Sequence, residues 1–200
     1  MQVGFWKTYD VEEIDLDIIA GKNDTTKYQL RELYQSTYID TAGNTVYRVE
    51  RYRNDDSIWV LQDVVRELTS LTTFDRIVDN QRQVKIVYPL VRNMEWDGNR
   101  YLHIDSNNYY FENWSYQIEY FDQSGTVNSL SFDSTLFVNH IRIHDVHIYR
   151  DANEIYAKDI GLIYKKIAYF DSQNASNLSW NEKAETGFSI EMKINSYKGQ

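Results

Sequence analysis

Apolar and polar residues alternate along much of this chain with a period of two, the spacing that sends successive side chains to opposite faces of a β-strand. Over residues 5–19, Glu12, Ile14, Leu16 and Ile18 fall on one face and Glu13, Asp15 and Asp17 on the other. A second strand is predicted at 28–39. Asp40-Thr-Ala-Gly-Asn44 then supplies hairpin chemistry, because Gly43 and Asn44 accept positive φ. The partner strand spans 45–53, and residues 54–57 turn the chain again. Residues 58–79 carry two patterns. Val60, Val64, Leu68 and Leu71 stand at helical spacing, yet the segment is rich in β-branched and aromatic residues, and two strands, 58–67 and 71–78, are preferred over a helix.

A compact apolar strand at 84–88 is ended by Pro89, which removes a ladder donor. Residues 90–94 connect it to a turn at Trp96-Asp97-Gly98-Asn99, and 103–109 read as an exposed loop. Strands follow at 114–121, 129–143 and 146–149, with a hairpin loop at 123–126. Residues 154–170 are two strands meeting at a tight turn, Gly161 marking the bend. A long polar loop covers 171–185, a last strand covers 188–194, and residues 1–3 and 195–200 are expected to fray. The expectation is one all-β domain over residues 1–200, mainly antiparallel, built as an open or partly closed barrel or a sandwich of about ten or more strands.

Composition supports β structure. The aromatic residues are mostly Tyr (17), against 8 Phe and 5 Trp, and such rings suit sheet surfaces that are apolar over the ring and wet at the tip. The net charge of −9 repels phosphate backbones and argues against nucleic acid as a partner; the run from Arg48 to Arg53 reads as a solvated strand face. With no Cys, disulfides, thiol nucleophiles and Cys-containing zinc sites are excluded. No apolar run reaches the roughly 18 residues of a spanning helix.

Chemistry-bearing motifs are scarce. On a strand, His140 and His144 share a face about 13 Å apart while His147 points away, too far for one metal ion. Glu13, Asp15 and Asp17 stand about 7 Å apart in sequence order along their face, so no single calcium takes all three. Phosphate loops, dinucleotide fingerprints and nucleophile elbows are missing. No metal site, cofactor or catalytic residue is therefore assigned. The candidate ligand-binding residues are Tyr109, Tyr110, Trp114 and Tyr116, rings that form a contact platform if exposed and core if alternate ones turn inward.

Trp6, Tyr88-Pro89-Leu90, Trp96-Asp97-Gly98 and the run from Tyr156 to Lys165, Tyr-Ala-Lys-Asp-Ile-Gly-Leu-Ile-Tyr-Lys, occur in an order that resembles a group of uncharacterised small lipoproteins of the Bacteroidota. The resemblance extends from about Gly4 to Phe170. It departs at Asp159, where the group has the first Gly of a Gly-x-Gly pair, and at Val3-Gly4-Phe5-Trp6, which lacks a preceding Pro-Leu. It implies an all-β protein of the cell envelope, in periplasm or outer membrane, tethered by a lipidated Cys that follows a signal and precedes Met1. It implies no catalytic residues. The expected function is non-enzymatic binding of a partner or surface at the envelope, whether protein, glycan or lipid. The alternative is a carrier of an apolar small ligand in a β-cup, and the third reading is a hydrolase with a carboxylate site. A large apolar cavity favours the carrier, a filled interior with exposed rings favours the binder, and two facing carboxylates in a cleft favour the enzyme.

Overall fold

The alternating segments form one antiparallel sheet of twelve strands. The computed structural model describes residues 2–54, 57–106 and 108–198. Parts of the predicted turn at 54–57, of the loop at 103–109 and of both predicted frayed ends lie outside these residues. In chain order the strands are β1 (Trp6–Asp17), β2 (Lys22–Ile39), β3 (Thr45–Asn54), β4 (Trp59–Thr69), β5 (Thr73–Val78), β6 (Gln81–Val87), β7 (Glu95–Trp96), β8 (Tyr116–Val127), β9 (Leu130–His144), β10 (Ile148–Ala157), β11 (Gly161–Asp171) and β12 (Thr186–Tyr197). Between them sit a 3₁₀ turn, Tyr109–Phe111, and one short helix, α1 (Trp180–Lys183). Segment 58–79 is two strands, as its β-branched content predicts.

The spatial order is β6-β5-β4-β3-β2-β1-β12-β11-β10-β9-β8-β7. The sheet is thus two six-stranded meanders joined where β1 pairs with β12, from Lys7 opposite Tyr197 to Asp17 opposite Thr186. Residues 195–197, expected to fray, belong to this ladder. Lys198 is tied as well, its amide donating to the Trp6 carbonyl and its ammonium to that of Gly4.

The sheet curls until its two edge strands, β6 and β7, almost meet, giving a near-barrel with one unsealed seam. Closure at that seam rests on few bonds. The Val84 amide donates to the Gly98 carbonyl, and the Trp96 indole donates to the Val84 carbonyl, both at 2.8 Å. The connection that crosses the seam contains the cis Tyr88–Pro89 peptide bond.

The hairpin after β8 differs from expectation. The strand continues through 123–126 and turns at Asn128, which takes positive φ. Register shifts at three places along β8, between residues 118 and 125, absorb extra residues as bulges. They leave Gly125 inside the strand, and they twist the edge that β8 turns to the seam, which blunts it against pairing with another strand.

Twelve strands enclose more space than aliphatic side chains fill, so long polar side chains cross the lumen. Apolar packing concentrates at one end, where Trp114, Tyr116, Ile118, Val138 and Tyr156 meet, and around Tyr9, Val11 and Ile194. Between these clusters the interior is charged.

Candidate functional site

Position 154 on β10 sets the centre of the charged lumen. Alternation turns Ala152, Glu154 and Tyr156 to one side, and all three are buried. The Lys85 ammonium on β6 lies 3.0 Å from the Glu154 carboxylate, and the Tyr156 hydroxyl donates to its other oxygen. A second cluster lies alongside. Arg76 on β5 bridges Glu32 on β2 and Glu67 on β4, the latter at 3.0 Å. Lys7 reaches Glu32 at 3.5 Å, and Tyr34 donates to Glu67 at 2.6 Å.

Burial by itself raises a carboxyl group, yet both central glutamates are held well below the usual carboxylate range. Arg76 and then Lys7 overcome burial at Glu32, and Lys85 and then His140 overcome it at Glu154. Burial drives the hydroxyls of Tyr9, Tyr34, Tyr116 and Tyr156 well above their ordinary range, so all four act as neutral donors. Glu32 and Glu67 do face each other, but across a guanidinium that both already bind, inside a closed lumen. That geometry ties β2, β4 and β5 together.

His140 on β9 is 1% exposed and stacks on Tyr116 with ring centroids 4.0 Å apart. Its Nε2 is 3.5 Å from Glu154, and among the described residues neither it nor the neighbouring Trp114 indole N–H has a hydrogen-bond partner. Burial pulls the His140 pKa down to about 4, with Glu154 opposing and Lys85 assisting. In the unfolded chain His titrates near 6.5, so between those values the unfolded state binds the proton and the native state does not. His140 therefore stabilises the fold fully above about pH 6.5, and that contribution falls away towards pH 4. A loss of about 3 kcal/mol is expected from the shift. His140→Phe, which keeps the stack, is expected to flatten the fall of Tm between pH 7 and 4.5. Superimposable pH profiles for the two proteins count against this role.

The other histidines go elsewhere. His144 stacks on Tyr149, and His147 contacts the Ser172 carbonyl through Nδ1. Of the four candidate aromatic residues, Trp114 and Tyr116 are core and Tyr110 is half-buried against Phe111 and Phe188. Tyr109 alone is exposed, at 52%. They gather in one aromatic cluster, mostly turned inward, and present no continuous exposed platform.

The seam supplies the more open site. Where β6 diverges from β8, a groove of about 630 Å³ opens between the strands. Phe74, Ile86, Tyr88, Leu90, Phe121 and Leu136 form its apolar walls, and Tyr156 joins the groove to the ion pairs of the lumen. Asp122, Lys158 and Asp159 add charge to the lining. Asp159 reaches it because it takes φ 65° in the turn between β10 and β11, completed by Gly161 at φ 82°. The lining comes from seven strands and two connections, so no local motif announces it; Pro89 read as the end of a strand and 154–170 as two strands meeting at a turn, and neither reading pointed to a site. A volume of this size with apolar walls and few polar groups is the ordinary form of a small-ligand site.

Compared with protein-family models, with curated proteins and with solved structures, the chain matches none.

Proposed function

We propose that the protein is a non-enzymatic binding protein of the cell envelope that holds a small amphipathic molecule in the seam groove. The observation that carries this reading is the groove itself: about 630 Å³, apolar-walled and open at the one place where the barrel is unsealed. Ion pairs occupy the middle of the lumen, which favours the seam groove as the place for a ligand. The bulged edge of β8 disfavours an added β-strand as occupant. Asp122 and Asp159 outnumber Lys158 in the lining, and the chain is acidic overall, which favours a neutral or cationic head over an anionic one. The envelope assignment rests on the lipoprotein resemblance.

Fluorescence titration with two apolar probes tests the reading, neutral N-phenyl-1-naphthylamine and anionic anilinonaphthalene sulfonate. Saturable one-to-one binding of the neutral probe, tighter than the anionic one, is expected. Phe121 is 36% exposed, so Phe121→Asp places a charge in the groove at little risk to the fold. It is expected to weaken the neutral probe about tenfold, a change of about 1.4 kcal/mol. Absent saturation, or unchanged affinity in Phe121→Asp, overturns the assignment and returns the search to a protein partner.

A further inference from the structure

The charges of the lumen do not balance. Lys7, Arg76, Lys85 and Lys165 project positive groups into it, against the carboxylates of Glu32, Glu67 and Glu154. Two further pairs, Arg51 with Asp63 and Arg82 with Asp75, are each neutral, and His140 is kept uncharged. One positive charge is left over. It is traced to Lys165 on β11, which has no hydrogen bond and no carboxylate within ion-pair range among the described residues, whereas Lys7, Arg76 and Lys85 each have one.

Lys165 does not sit in bulk water. It lines a small, partly enclosed cavity of about 50 Å³ together with Arg51, Arg76, Lys85, Gln83 and Tyr156, with Glu67 and Glu154 completing the polar wall. A cavity needs about 10–15 Å³ by this measure to hold one water. The space therefore suits a few waters or one small ion and excludes an organic metabolite. Arg51 is paired with Asp63, Arg76 with Glu32 and Glu67, and Lys85 with Glu154, so the excess positive charge facing the space is that of Lys165, which favours an anion as occupant.

We propose that the lumen binds one small monovalent anion, of the size of chloride or nitrate, in the cavity between Lys165, Arg51, Arg76 and Lys85. The ion supplies the missing negative charge and opposes the effect of burial on the Lys165 amine. Burial, with Lys85 beside it, draws the Lys165 amine down to about 8, Glu154 offsetting only part of the effect. This site is separate from the seam groove and independent of what occupies that groove.

Thermal unfolding at constant ionic strength tests the proposal, with chloride, nitrate or gluconate as the only anion. Gluconate is too large for the cavity. An anion that binds only the native state raises Tm, by about 5 °C when well above its dissociation constant. The wild-type protein is expected to unfold about that much higher in chloride or nitrate than in gluconate. Lys165→Met removes the unbalanced charge and is expected to abolish the difference, which separates lumen binding from general salt effects. Equal Tm in all three anions, or a difference that persists in Lys165→Met, overturns the proposal. Crystals of the wild-type protein in bromide give a second readout that needs no variant. An anomalous peak beside Lys165 supports the site, and peaks confined to the surface, an adventitious ion only, refute it.

Discussion

Gly187→Ala is expected to lower stability by more than about 4 kcal/mol, placing it among the rare single changes that end folding in a domain of ordinary stability. Gly187 lies in β12 opposite Phe170 of β11 and takes φ 132°, a conformation that L side chains rarely adopt. A Cβ there meets the Tyr169 carbonyl oxygen at 1.9 Å and the Phe170 Cα at 2.8 Å. Both obstacles are backbone, so no rotamer change relieves them. The strands must part, and β12 is the strand that joins the two meanders. Gly125→Ala is the control, since its Cβ meets only the Thr135 side chain, at 3.2 Å, and a loss of about 1 kcal/mol or less is expected there. Urea unfolding measures both. Comparable small losses at the two positions contradict the close approach of β11 to β12.

The second large effect belongs to Glu32. Its side chain is fully buried and serves Arg76, Lys7 and the Tyr9 hydroxyl at once. Glu32→Ala leaves buried Lys7 without its carboxylate and Arg76 with Glu67 alone, and is expected to remove about 3–5 kcal/mol. Because the folded carboxyl is held below its unfolded range by Arg76 and Lys7, its contribution is present above the unfolded carboxylate range and is lost as pH falls below it. Wild type is therefore expected to lose stability on acidification more steeply than the variant. A double-mutant cycle with Arg76→Ala isolates the pair, and a coupling of at least about 2 kcal/mol is expected. Additivity within about 0.5 kcal/mol means that the two groups act independently.

Most strands were legible because alternation is local. The period-two pattern at 5–19 and the β-branched groups of 58–79 needed no tertiary context, and β1, β4 and β5 stand where those patterns put them. The turn between β8 and β9 was misplaced because Gly125 reads as a turn residue, whereas bulges keep it in the strand and Asn128 takes the positive φ instead. The lumen was illegible for a deeper reason. Alternation separates two faces but does not say whether the polar one meets water or an enclosed interior. Arg51 and Glu32 sit in runs that look like solvated faces, and only closure of the sheet makes them ion-pair partners. A lone charge between apolar neighbours, as in Val84-Lys85-Ile86, is the one local sign of such a lumen. The seam groove left still less trace, because its walls come from residues that only the curled sheet brings together.

The junction of β1 with β12 has a consequence for how the barrel is made. All other neighbouring strands are consecutive in the chain, and most are joined by short turns. The β1–β12 ladder alone joins strands from opposite ends of the chain and waits for both meanders. Until it forms, each half is an open six-stranded sheet with two raw edges, and Lys7 and Glu32 lack the wall that encloses them. The last zipper to close is thus the one that shuts charge away from water, so the slow step of assembly is expected to be the docking of two preformed halves along their shared spine.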